Sequence, residues 1–134
     1  MHVLIATAGA LPAARVAAFV STISGDKPTA SVMTVIEVPR SFLSDLEDDQ
    51  WRPFDEETDA QASREQAVGR YVDERGARLV EPVIAALRTH GIEAQTVLEE
   101  GDDAAEVIVK TAENLGADMI IMGSTRPIFD ESVW

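Results

Sequence analysis

The chain has 134 residues, of which 46% are hydrophobic and 26% charged, a composition typical of one globular domain. Its 24 acidic and 11 basic residues give a net charge of -13, which repels nucleic-acid phosphates and anionic membranes, so neither is expected as a partner. There is no cysteine, and with His2 and His90 far apart in the sequence no metal site is expected.

The sequence also bears on location. No apolar run approaches the roughly 18 residues that a membrane-spanning helix needs. The first residues, Met1 to Thr7, lack the basic region and the long apolar core of a signal peptide. We therefore expect a cytoplasmic protein.

The first third of the chain predicts a strand, a helix and a second strand. Val3 to Thr7 is a continuous apolar run, typical of a parallel strand buried on both faces. Gly9 ends this strand, and Pro12 suits the first turn of the helix that follows. A second strand covers Ala30 to Val38. The apolar stripe predicted for the helix consists of Val16, Phe19, Val20 and Ile23.

A long acidic segment follows the second strand. Residues 41 to about 62 are rich in Asp and Glu, and we expect them to form a mobile loop. From Ser63 to His90 apolar residues recur at helical spacing. Ser63 and Gln66 form a capping-box pair, which predicts that the helix begins there.

The remainder predicts a strand, a helix and a strand. Ile92 to Leu98 alternates apolar and polar residues, as expected of a strand near an edge. Asp102 and Asp103 can cap the next helix, which Gly116 ends. Asp118 to Met122 is nearly all apolar, as in a central strand. The alternation predicts an α/β fold with a parallel sheet and helices on both faces.

From Val3 to Gly123 this sequence resembles the universal stress protein family. The most specific matches are Val35-Ile36-Glu37-Val38 in the second strand and the block from Gly101 to Ser124. The resemblance implies a three-layer, Rossmann-like fold of the adenine nucleotide alpha hydrolase type, with five strands in the order 3-2-1-4-5. Since the sequence stops at Trp134, we expect four of these strands, in the order 3-2-1-4. Residues 1–134 would form a single domain with a short C-terminal tail at 125–134.

The resemblance also implies a nucleotide site. Members of the family that bind ATP hold adenine beside the first two strands. They hold the phosphates over a Gly-x-x-Gly-(nine residues)-Gly-Ser/Thr loop after the fourth strand. The matching positions here are Thr7, Ala8, Val35, Met122, Gly123 and Arg126. Ala8 replaces an acidic residue that is common in the family, Arg126 replaces the second loop glycine, and the final Gly-Ser/Thr pair has no counterpart.

Two interpretations of Gly123 remain open at this point. It is either a turn residue that ends a buried strand or part of a degenerate cradle for adenosine or AMP. A phosphate loop needs glycines that adopt positive φ and approach the anion closely. Arg126 and Pro127 do not provide this, since proline has no N–H.

We therefore expect a non-catalytic regulatory or binding protein of the stress response, without the family's usual ATP binding and without a cofactor. We expect a homodimer that also has a protein partner. The alternative is a switch that binds ATP or AMP, with at most weak hydrolysis. A third hypothesis is an interaction module that only dimerises. We also expect the tail from Ile128 to Trp134 to cover the edge of the fourth strand or to cross to the partner's edge.

Overall fold

The computed structural model describes residues 1–23, 25–39, 41 and 57–123. The strands are β1 (His2–Ala6), β2 (Thr29–Ile36), β3 (Glu93–Glu100) and β4 (Met119–Met122), and the helices are α1 (Ala13–Ile23), α2 (Glu57–Thr89) and α3 (Ala104–Leu115). All pairings are parallel, and the strand order is β3-β2-β1-β4. The predicted α/β fold with the order 3-2-1-4 is confirmed.

β1 lies inside the sheet. It pairs with β2 from His2 opposite Thr29, and with β4 from Val3 opposite Met119. Val3, Leu4 and Ile5 are completely buried, because helices cover both faces of the sheet at this strand. β3 is an edge strand of the described sheet, as its alternating sequence predicts.

α1 and α2 cover one face of the sheet. The residues that they bury against β1 and β2 are Val16, Ala17 and Val20 from α1 and Val80, Val83, Ile84 and Leu87 from α2. The prediction that Phe19 joins the buried stripe was wrong, since Phe19 is 50% exposed and Ala17 is fully buried. Residues that are two positions apart in a helix point in directions about 200° apart around its axis. Phe19 therefore cannot face the sheet when Ala17 does.

α3 covers the opposite face, where Ile108 packs on Leu4, Ala6 and Met33. Two β4 residues share this face, because Ile120 lies opposite Leu4 and Met122 opposite Ala6. Ile120 is 40% exposed and Met122 is 58% exposed. Among the described residues, the α3 side of β4 is therefore an uncovered apolar surface.

The ends of α3 confirm the predicted caps. Asp103 precedes the helix in an extended conformation, and its side chain accepts a hydrogen bond of 3.2 Å from the Glu106 N–H. Gly116 ends the helix with φ 63° and ψ 37°, a left-handed conformation that favours glycine. No helix in the described part of the chain is both long enough and apolar enough to span a membrane.

α2 begins at Glu57, earlier than expected, so the prediction of a start at Ser63 was wrong. The residues from 57 to 62 contain neither Gly nor Pro, and nothing in them stops the helix from extending past the capping-box pair. They therefore belong to α2 rather than to the loop expected at 41–62. Residues 42–56 and the tail at 125–134 lie outside the described residues.

Candidate functional site

A cavity of about 390 Å³ lies at the carboxyl ends of β1, β2 and β4. The chain adds β2 and β3 on one side of β1 and then places β4 on the other side. The cavity therefore lies at the point where the strand order reverses. In open α/β sheets, ligands bind in the crevice at this point.

Five of the six residues predicted for the nucleotide site line this cavity. They are Thr7 and Ala8 after β1, Val35 in β2, and Met122 and Gly123 at the end of β4. The sixth, Arg126, lies outside the described residues. The sheet thus brings together residues that are more than 100 positions apart in the sequence.

Other lining residues were missed by sequence reasoning. Ala10, Leu11 and Pro12 come from the loop after β1, and Ala104 and Ile108 come from the first turns of α3. The loop after β1 was detectable, because loops at the carboxyl ends of parallel strands surround such a crevice. Thr34, which is 2% exposed and also lines the cavity, has no sequence signal that separates it from an ordinary strand residue.

Thr7 fixes the loop at the mouth of the cavity. Its backbone N–H donates to the Met33 carbonyl oxygen at 2.9 Å, and its hydroxyl oxygen accepts from the Gly9 N–H at 2.9 Å. Gly9 has φ 98°, a backbone conformation that favours glycine. Because the Thr7 oxygen acts as an acceptor here, its O–H bond can still donate to a ligand.

The described lining carries no charged side chain. Its polar side chains are the two threonines, Thr7 and Thr34, and the others are alanine, leucine, proline, valine, isoleucine and methionine, with Gly123. Such a lining suits an apolar ligand that is oriented by a few hydrogen bonds. A triphosphate calls for charge-assisted hydrogen bonds, which these residues do not supply.

The φ angle of Gly123 lies outside the positive region. A Cβ atom added at this position would lie 2.9 Å from Leu11 Cδ2, so the absence of a side chain lets Leu11 pack closely. This contact favours the interpretation of Gly123 as a turn residue beside a packed leucine. It does not require the left-handed backbone of a phosphate cradle.

The described residues form no candidate metal site. Among them, no three His, Asp or Glu side chains come together in an arrangement that holds a metal ion. The acidic residues between 45 and 56 lie outside the described residues.

Two solved structures resemble the fold. One is the hypothetical protein MJ0577, described as a test case of structural genomics, which is 21% identical to this chain. The two structures superpose with a TM-score of 0.56, and the match covers 92% of this chain and 73% of that one. A protein from the universal stress protein family of Burkholderia pseudomallei shares 17% identity with a TM-score of 0.48, over 92% of this chain and 80% of that one. At 21% identity, the likeness to MJ0577 shows the fold alone.

Sequence comparison identifies the family. No curated protein matches the chain with significant similarity. The family model described as the Universal stress protein family matches residues 1–131, which is nearly the whole sequence. The chain therefore belongs to the universal stress protein family.

Proposed function

We propose that this chain is a non-catalytic, cytoplasmic regulatory protein of the stress response whose cavity accepts adenosine rather than ATP. The observation that carries the proposal is the uncharged lining of the cavity at the ends of β1, β2 and β4. An uncharged nucleoside loses less solvation free energy on entering such a site than a triphosphate does. Among the described lining residues, the charges of a triphosphate would have no charged partner.

Size supports the same ligand class. At about 390 Å³, the cavity lies in the lower part of the 300–1,000 Å³ range in which small-molecule sites are usually found. The Thr7 hydroxyl can donate a hydrogen bond to a base or a ribose. The described lining offers neither a carboxylate nor an imidazole that could move a proton, which supports a binding role rather than hydrolysis.

Calorimetric titration with adenosine and ATP tests this proposal. We expect adenosine to bind, and we expect ATP to have a dissociation constant above about 100 μM, or roughly -5.5 kcal/mol. Tighter ATP binding would overturn the proposed preference. Ala8→Trp should abolish adenosine binding by filling the mouth of the cavity. Ala18→Trp, on the exposed side of α1, is its matched control.

The alternative proposal is an adenine-nucleotide switch that uses ATP or AMP. It draws on the Met122–Gly123 pair and on the position of the cavity where the strand order reverses. Here the phosphate would need Arg126, so Arg126→Gln should weaken AMP binding and leave adenosine binding unchanged. Equal binding of AMP by Arg126→Gln and by the unmodified protein would exclude this role of Arg126.

We also propose that the protein forms a homodimer through the β4 edge. Ile120 and Met122, on the uncovered α3 side of β4, are 40% and 58% exposed. β4 is also an edge of the described sheet, and unpaired strand edges favour pairing with another strand. Joining two copies there would cover this apolar surface, which includes Met122 of the adenosine cavity. The dimer would regulate a further protein partner.

A further inference from the structure

A second cavity, of about 550 Å³, lies where the end of β2 meets the middle of α2. Ile36, Leu79 and Val35 form its apolar part. Ile36 and Leu79 belong to a small hydrophobic cluster that joins α2 to β2 and β3. The apolar base of this cavity is therefore packed by α2 and the end of β2, except for Val35, which packs with the cluster of Leu4, Ala6, Met33 and Ile108.

The charged side of this cavity is built on α2. Tyr71, Arg75 and Arg78 line it, and their spacing of four and three residues places them along one side of the helix. The guanidinium carbon of Arg75 lies 4.5 Å from the centre of the Tyr71 ring. This cation–π contact favours one orientation of the guanidinium group, whose N–H bonds can still donate in its own plane.

Neither guanidinium forms an ion pair with an acidic residue within the described part of the chain. Glu74 precedes Arg78 by four residues, the spacing at which a helical ion pair is favourable, yet that pair is not formed. Glu106 and Lys110 on α3, at the same spacing, do form one, with a distance of 3.1 Å. Among the described residues, the two arginines that line this cavity therefore have no carboxylate partner at ion-pair distance and can pair with an external anion.

The charges around the cavity limit which anion fits. Glu37 and Glu74 also line it, so the charges of the described lining, two carboxylates and two guanidinium groups, sum to zero. Elsewhere the protein is strongly acidic, with a net charge of -13, and repels anions. A monoanion can pair with the arginines, whereas a dianion loses more solvation free energy on binding and carries a second charge that this neutral lining does not compensate.

We propose that this cavity is a second ligand site, which binds an organic monocarboxylate with an aromatic or apolar body. Arg75 and Arg78 hold the carboxylate, a planar group that matches the guanidinium fork. Tyr71 and Leu79 contact the body of the ligand. The site goes beyond the proposed adenosine site, with which it shares Val35 as a lining residue.

The test uses phenylacetate as the probe, followed by amide chemical shifts in the whole protein. We expect shifts at residues 35–37 and 71–79, and binding at least tenfold weaker in Arg75→Gln and Arg78→Gln. Arg88→Gln, an exposed arginine of the same helix outside the cavity, should bind like the unmodified protein. Phenylacetamide, the neutral isostere, and phthalate, a dianion, should both bind at least tenfold more weakly.

Three results would overturn the inference. The first is no shift at about 10 mM phenylacetate, a concentration at which even weak sites of roughly -3 kcal/mol are occupied. The second is equal binding of phenylacetamide. The third is a set of shifts confined to Thr7 and Met122 in the adenosine cavity. Thermal unfolding of each variant verifies that it is folded. A variant that does not fold is replaced by Arg78→Lys, which keeps the charge but not the planar fork and should bind with intermediate affinity.

Discussion

Gly76 on α2 lies directly against Leu98 on β3. A Cβ atom added to Gly76 would be 2.6 Å from Leu98 Cδ2, and Leu98 Cδ1 and Cγ would both lie at 3.2 Å. Gly69, in the same helix, has no such neighbour within 4 Å. The missing side chain at position 76 therefore sets how closely α2 approaches the sheet.

This pair of glycines gives opposite predictions for the same substitution. Gly69→Ala should stabilise the protein by about 0.5–1 kcal/mol, because alanine favours a helix and nothing obstructs its methyl group. Gly76→Ala should destabilise it by about 1–3 kcal/mol, since Leu98 must move to admit the methyl group. Urea unfolding measures both changes. Equal stabilisation by the two substitutions would contradict the close packing of Gly76 on Leu98.

A second prediction concerns the cap of α3. Asp103→Ala removes the acceptor for the Glu106 N–H and should cost about 0.5–2 kcal/mol of unfolding free energy. Asp103→Asn should retain most of the stability, because its side-chain oxygen still accepts that hydrogen bond. Asp102→Ala is the matched control, with the same loss of charge one residue earlier. If both alanine variants lose the same stability, charge rather than capping is responsible.

A third prediction concerns a polar network across three strands. The fully buried Ser31 hydroxyl lies 2.8 Å from His2 Nε2 and accepts a hydrogen bond of 2.7 Å from Gln95 Nε2. Ser31→Ala should cost about 1–2 kcal/mol, because both partners lose a hydrogen bond. Ser21→Ala, on the exposed side of α1, should change stability by less than about 0.5 kcal/mol. Similar denaturation midpoints for the two variants would show that the network contributes little.

A fourth prediction tests the proposed dimer. Ile120→Asp and Met122→Asp should each convert the dimer to a monomer by light scattering, because each would place an unpaired charge in the interface. Val109→Asp, at an α3 position that is 51% exposed, should leave the dimer intact. Deleting residues 127–134 distinguishes the contribution of the tail to dimerisation from that of β4. A truncated protein that stays dimeric would show that the tail is not needed.

Much of the fold was predictable, since its signals are local. The apolar run at Val3 to Thr7 and the capping residues Asp103 and Gly116 each specify their element with neighbouring residues alone. The start of α2 was mispredicted because a capping-box pair predicts a helix start only when the preceding residues are not helical. Phe19 was misplaced because the helical period does not decide between its position and that of the smaller Ala17.

The candidate cavities were harder to predict. Thr34 lines the first one from β2 and Leu11 lines it from the loop after β1, and neither belongs to a motif. The second cavity needs the pairing of α2 with the end of β2, which places Arg75 and Arg78 near Glu37. No local pattern indicates that contact, because more than 30 residues separate Glu37 from Arg75 in the sequence.

The pairing of β1 with β4 has a consequence for synthesis of the protein. His2 exchanges hydrogen bonds of 2.8 Å with Asp118, a residue 116 positions later. On the ribosome, β1 can pair with β2 early, but its other edge waits until β4 has emerged. At about 5–20 residues per second, that delay lasts roughly 4–17 s. Throughout that time the nascent chain exposes an apolar strand edge, so we expect chaperone binding to its first 40 residues to decrease sharply once β4 has emerged.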